Sequence, residues 1–252
     1  MLQNLENNYN IEILKQREIW NKKEILRLIY GDWYKEIVAW MKTPDRGINV
    51  ELGCGCGSFK EFFPHLIATD IFPNPWVDIV VSGLNLPFSA HTVDNFILID
   101  VLHHIEYPQV FFSQVQEILK PGGRIILVEP YISWFSYFIY RFLHHEPVDL
   151  HQQVLSENAP ASLPLNDGFA NEAIPSILFD RQWSCFCQKF PRLTLLKKKF
   201  FSFWAYPLSG GFNYNSRIGK RGYRWLHRLE QAVEKPLGRY LALRIFVVLE
   251  RR

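Results

Sequence analysis

The residues best placed to do chemistry form a glycine-rich run, Glu51-Leu52-Gly53-Cys54-Gly55-Cys56-Gly57, directly after a short apolar segment. Glycine is needed where backbone must approach a ligand closely or adopt conformations barred to other residues. A strict dinucleotide fingerprint would place its third glycine at Ser58. The acid two residues ahead of Gly53 is also unsuited to a pyrophosphate, whereas it suits a ligand carrying an ammonium group. Asp70 lies 17 residues beyond Gly53, at the end of a second apolar run. A carboxylate there can accept hydrogen bonds from both hydroxyls of a ribose. Glu51, Gly53, Cys54, Gly55, Gly57, Asp70 and Ile71 are therefore candidate ligand contacts.

These residues need a scaffold that holds strand ends together. Short, β-rich apolar runs occupy 48–52, 66–71, 77–81, 95–101 and 124–128, and read as strands covered on both faces. Helical patterns at 58–63 and 108–119 separate several of them, which predicts right-handed crossovers and a parallel sheet. Ser58 is the expected N-cap of the first such helix. Residues 1–46 read as a helical extension, with Trp20, Ile25, Leu28, Ile29, Trp33, Ile37 and Trp40 at helical spacing and a break near Gly31-Asp32. Residues 47–252 read as one domain: a core at 47–130, then 131–252 with strand 193–203, helix 223–234 and strand 241–249. In such sheets a ligand sits at the carboxyl ends of the strands, where the glycine run falls.

At this level of detail the chain resembles a known family. Asn49-Val50-Glu51-Leu52-Gly53-Cys54-Gly55-Cys56-Gly57 resembles the first motif of class I S-adenosylmethionine-dependent methyltransferases, and most of all their type-11 group. Leu86-Pro87-Phe88 with Val93-Asp94-Asn95-Phe96, Val101-Leu102-His103-His104-Ile105, and Leu119-Lys120-Pro121-Gly122-Gly123 resemble three further motifs of that group, in the right order. The resemblance implies an α/β, Rossmann-like, seven-stranded and mostly parallel sheet, with helices on both faces and an antiparallel last pair. It implies S-adenosyl-L-methionine as cofactor, adenine contacts at Ser82, Gly83 and Leu84, and Asp100 and Val101 near the transferred methyl. Two departures stand out. The family's acid near the adenine is replaced by Ser82, and its aromatic-acid pair reads Val93-Asp94.

Acceptor chemistry is less constrained. Methyl transfer is dominated by positioning, but an oxygen acceptor also needs a general base. His103, His144 and His145 are the candidates near neutral pH. The stretch 141–149 holds His144, His145, Glu146 and Asp149 and is either the acceptor segment or a solvated linker. Residues 156–175 read as a loop or lid, and Ser209 to Tyr214 as a rim over the acceptor or a plain turn. The aromatic run Tyr131, Trp134, Phe135, Tyr137, Phe138, Tyr140 and Phe142 reads as a helix packed on the sheet, with a lipid-interface helix as the alternative.

Composition narrows the field. The 48% apolar and 21% charged fractions over 252 residues are those of an ordinary globular protein. A net charge of +3 is too small to argue for nucleic acid. No stretch is long and apolar enough to span a membrane, and the N-terminus lacks a secretory pattern. A reducing, cytoplasmic setting is expected, with peripheral membrane contact possible. The Cys54/Cys56 and Cys185/Cys187 pairs lack the spacing of a zinc site, so no metal is expected. The expected activity is methylation of a small-molecule or glycan- or lipid-linked acceptor at oxygen or carbon. The alternatives are a non-catalytic module of the same fold and an NAD-dependent oxidoreductase.

Overall fold

The computed structural model describes residues 2–143, 146–155 and 168–252. Seven strands form one sheet: β1 (Asn49–Leu52), β2 (Ile67–Asp70), β3 (Ile79–Val80), β4 (Val93–Ile99), β5 (Leu119–Pro130), β6 (Leu193–Phe201) and β7 (Arg244–Arg251). Their order is β3-β2-β1-β4-β5-β7-β6. Strands β1 to β5 pair in parallel, and β7 runs antiparallel to both β5 and β6. This is the expected Rossmann-like α/β sheet. Strand β1 lies where the order reverses, with β2 to one side and β4 to the other.

The middle of the sheet is apolar on both faces because alternate residues of its strands meet different layers. Phe96, Leu98, Ile125, Leu127, Ile245 and Val247 pack into one core. That core also takes Phe111, Phe112 and Val115 of α4 (Pro108–Ile118), Ile174 of the short α6 (Ile174–Ser176) and Phe186 of α7 (Trp183–Lys189). Ile97, Ile126, Val128, Phe246 and Val248, one position out of phase, pack into a second core. Its other wall is α2 (Glu24–Trp40), through Ile25, Leu26, Ile29, Trp33 and Ile37, with Phe59 of α3 (Ser58–Phe62) and Tyr223 of α9 (Lys220–Leu241).

Three local expectations are corrected. The N-terminal break falls at Lys23, between α1 (Leu2–Lys22) and α2, and not at Gly31-Asp32. Asp32 is satisfied inside α2 by Lys35 at 2.9 Å and by the Tyr223 hydroxyl at 2.7 Å, and the buried face of α2 outweighs one interior glycine. The residue capping α3 is Gly57 in the left-handed region, and the Ser58 hydroxyl bonds instead to the Tyr34 hydroxyl at 2.7 Å. Helix α9 runs past its predicted end and through Pro236, because Gly238 beyond it packs against the backbone of Phe200.

One buried ion pair ties the termini to the end of β4. Arg244, at the start of β7, pairs with Asp100. Its guanidinium lies over the rings of Trp33 (5.1 Å) and Tyr206 (4.8 Å). Tyr206 belongs to α8 (Ala205–Ser209). Replacing Arg244 by Met removes the partner of a half-buried acid and the cation between two rings. The expected loss is about 2–3 kcal/mol, read as a lower denaturant midpoint at unchanged m-value.

Candidate functional site

The chain leaves β1 at Leu52 and turns sharply through the glycine run. Gly53 has a φ of +72°, and a Cβ there would lie 2.5 Å from Cγ2 of Val101. Gly57 has a φ of +70°, and a Cβ there would lie 2.4 Å from the Trp76 ring. Any side chain at either position must therefore displace its neighbour as well as adopt a strained backbone. The glycines thus set the cradle's floor against Val101 and its wall against Trp76.

Two acids face this cradle. Asp70 ends β2; its Oδ2 accepts the N–H of Gly55 at 2.9 Å and its Oδ1 that of Ile71 at 2.8 Å. Burial is the largest influence on Asp70 and raises its pKa above the ordinary carboxylate value, against the hydrogen bonds that lower it. Glu51 is buried on β1, and burial followed by the nearby Asp70 charge holds it well above its ordinary value. Its Oε2 is buried without a hydrogen-bond partner. A buried, unsatisfied carboxylate oxygen costs free energy until a donor arrives, so this atom fits an incoming ammonium group.

Helix α1 covers the cradle. The Tyr9 hydroxyl donates to Asp70 Oδ1 at 2.8 Å, and its ring lies 5.4 Å from that of Phe72. Arg17 donates to the Cys56 carbonyl at 3.2 Å, pairs with Glu61 at 2.6 Å, and lies over Trp76 at 5.4 Å. Nothing in the spacing of α1 signalled Tyr9 as a partner of Asp70.

Strand β4 ends at Ile99, and Asp100 takes a φ of 58°, unusual for a non-glycine residue. Asp100 is engaged by Arg244. A short 3-10 turn, Leu102–His104, follows. Glu129 on β5 anchors it: Oε1 accepts the N–H groups of Val101 (2.9 Å) and Leu102 (2.7 Å), and Oε2 meets His103 Nδ1 at 2.9 Å. Glu146 reaches the same turn, 3.4 Å from His103 Nε2 and 3.8 Å from His104 Nε2. Burial opposes charge on His103, yet Glu172, Glu129 and Glu146 together hold its pKa well above the ordinary value. Glu172 is pushed up to about 8, chiefly by burial. The His103-His104 and 141–149 motifs, distant in sequence, thus meet at Glu146.

Of the remaining predicted residues, Ser82, Gly83 and Leu84 form a tight turn in which Ser82 Oγ accepts the Leu84 N–H at 3.2 Å. A Cβ on Gly83 would touch Leu52 and Ile105, so this turn lies along the end of β1. Cys54 is buried, 3.9 Å from Asp70. His144 and His145 lie outside the described residues, as do 156–167 of the predicted lid. The Ser209–Tyr214 segment is a turn: Gly210 caps α8 in the left-handed region, and Lys23 Nζ donates to the carbonyls of Gly211 (2.5 Å) and Tyr214 (2.6 Å). Tyr9, Glu129, Glu172 and Arg244 were not singled out in sequence. Only Glu129 left a trace, as an acid inside an otherwise apolar strand.

A glycine cradle at the switch point of a sheet with a reversed seventh strand is the fold of the class I S-adenosylmethionine-dependent methyltransferases. Residues 50–127 match the family model of the methyltransferase domain. A chain of the Haloferax volcanii complex between the Trm112 methyltransferase activator and its methyltransferase is 12% identical, with a TM-score of 0.53 over 98% of this chain and 96% of that one. An S-adenosylmethionine-dependent methyltransferase from Archaeoglobus fulgidus is 12% identical, with a TM-score of 0.53 over 90% of this chain and 94% of that one. Geranyl diphosphate C-methyltransferase from Streptomyces coelicolor, in complex with Mg2+, geranyl diphosphate and S-adenosyl-L-homocysteine, is 12% identical, with a TM-score of 0.51 over 90% and 82%. Identities this low speak for the fold. An uncharacterized protein of Methanocaldococcus jannaschii is 29% identical over 114 residues, which are 39% of this chain and 56% of the relative. The chain thus spans about half the length of that curated relative.

Both cradle acids must be ionised to accept from a cationic, diol-bearing ligand, and both have raised pKa values. Affinity for S-adenosylmethionine is therefore expected to fall on acidification, and to do so at a higher pH than exposed carboxylates would require. Calorimetric titration at a series of pH values checks it, and Asp70→Asn should flatten part of the dependence.

Proposed function

We propose that the protein transfers a methyl group from S-adenosylmethionine to oxygen or carbon of a small-molecule or glycan- or lipid-linked acceptor. The observation that carries this reading is the orphaned Oε2 of Glu51 beside the glycine cradle. When bound, the cofactor supplies an electrophilic methyl on a positively charged sulfur. Glu51 takes its ammonium group and Asp70 its ribose hydroxyls. The turn Ser82-Gly83-Leu84 lines the adenine, with Gly53, Cys54, Gly55, Gly57 and Ile71 completing the cradle. Asp100 and Val101 line the reacting centre, and the polar cluster of His103, His104, Glu146 and Glu172 beyond them receives the acceptor. His103, His144 and His145 are the proposed catalytic histidines. In-line alignment in a site closed to water does most of the work.

Calorimetry of the purified chain with S-adenosylmethionine tests this. Micromolar affinity is expected, and Glu51→Gln should weaken it at least about tenfold by removing the charge opposite the ammonium. A well-folded wild type that gives no heat would overturn the reading.

A second observation favours an acceptor met at a membrane surface. Helix α5 (Trp134–Leu143) buries Ser136 and Tyr140 but exposes Trp134, Tyr137, Phe138 and Phe142. Helix α9, which packs against it, exposes Trp225, Leu229 and Tyr240 beside Arg221, Arg224, Arg228, Lys235 and Arg239, with no acid among its exposed residues. Exposed aromatics flanked by cations suit an anionic lipid interface. Among the described residues no helix is long and apolar enough to cross a membrane. Sedimentation with vesicles containing phosphatidylserine is expected to capture the protein. Phe138→Ser with Phe142→Ser should lower capture about tenfold, and high salt should weaken it further.

A further inference from the structure

Beyond the cradle, His103, His104 and Glu146 bring one donor atom each to within 4.8 Å of one another. The proton positions follow from the neighbours. His104 Nδ1 lies 3.1 Å from the Phe169 carbonyl, which only accepts, so that nitrogen carries the hydrogen. His103 Nδ1 faces the Glu129 carboxylate at 2.9 Å and donates in the same way. Once His103 gives up the Nε2 proton that faces Glu146, each lone pair sits on Nε2, and both Nε2 atoms face the carboxylate of Glu146. Two imidazole lone pairs and an anion converge on one point. That arrangement can take a divalent cation in exchange for the His103 proton.

We infer that His103, His104 and Glu146 bind a divalent transition-metal ion of the zinc type. Two imidazoles and one carboxylate form a donor set that suits zinc and its first-row neighbours better than magnesium or calcium, which prefer oxygen. Glu129 holds His103 as outer carboxylates hold metal-bound histidines elsewhere. Glu172, buried and hydrogen-bonded to Glu146, steadies the third ligand. The two segments that carry the ligands are also locked together. Asn171 N–H donates to the His103 carbonyl at 2.9 Å, and Glu172 N–H to the Pro147 carbonyl at 3.1 Å. Tetrahedral ligands on zinc stand about 3.4 Å apart, so side-chain shifts of about 1 Å close the site. Three protein ligands leave a position open. On the methyltransferase reading, which this clause alone rests on, that position takes an acceptor oxygen, so the acceptor carries a hydroxyl or enol. His103 then acts as a ligand, which leaves proton removal to other groups.

The test uses the full chain without a histidine tag, dialysed against chelator and then titrated with Co2+ by visible absorption and with Zn2+ by calorimetry. S-adenosylmethionine binding is measured on the same samples. One equivalent of Co2+ with bands typical of low coordination number is expected. His104→Ala and Glu146→Gln should each weaken metal binding about 100-fold while S-adenosylmethionine affinity stays within about twofold. The His104 side chain is 44% exposed, so its truncation spares the fold. Stripped wild type that takes up no metal at one equivalent would overturn the inference, as would variants that bind like wild type. The parallel S-adenosylmethionine titration judges the methyltransferase reading separately.

Discussion

The arrangement of the histidine cluster beyond the cradle depends on one buried carboxylate. Glu129 sits at the end of β5 with no exposure to solvent, where leaving its oxygens unpaired would be costly. It is satisfied by Val101, Leu102 and His103. These three bonds dictate how the chain leaves β4. They turn the backbone into a single 3-10 turn, fix the ring of His103, and keep Val101 against Gly53 on the other side. Cradle and histidine cluster are thus registered to each other through one side chain. An apolar residue at position 129 would complete the strand but leave the end of β4 without its anchor.

The same logic explains why the terminal segments are built into the domain. Asp100 terminates β4 in a strained conformation, and strain persists only where surroundings over-determine it. Arg244 from β7 supplies that constraint, and its guanidinium is itself held between Trp33 of α2 and Tyr206 of α8. The N-terminal helices therefore bear on the site twice. Helix α2 packs on the sheet and braces Arg244, while α1 lays Tyr9 on Asp70 and Arg17 on the glycine loop. Since Tyr9 already bonds to Asp70 Oδ1, a ribose that needs both carboxylate oxygens must compete with it.

The sheet and the cradle were legible in sequence because each rests on local signals. Apolar runs of strand length separated by helical periodicity fix the parallel core, and Glu51, the glycines and Asp70 stand at spacings set by one loop and one strand. The motif from Val101 to Ile105 and the stretch around Glu146 were each visible, but their meeting was not, since that depends on how a long excursion folds back. Glu172 and Tyr9 had no signal, because a lone acid or tyrosine gains meaning only from what the fold sets against it. The predicted break at Gly31-Asp32 failed for the converse reason: glycine and aspartate discourage helix locally, and the buried face of α2 overrode them.

Charge gives these features a common physical reading. Glu51, Asp70, Glu129 and Glu172 are all buried around the ends of β1, β2, β4 and β5, and Arg244 and His103 are the buried cations near them. Burial raises the pKa values of Glu51, Asp70 and Glu172 and costs stability. A domain concerned only with folding would gain by replacing several of them with apolar residues. The excess is intelligible if the missing positive charge comes from outside. A ligand with an ammonium and a sulfonium group would supply it at the cradle, and a divalent ion at the histidine cluster. Val101 links the two places: its side chain packs against Gly53 of the cradle, and its N–H is held by Glu129, the carboxylate that also holds His103.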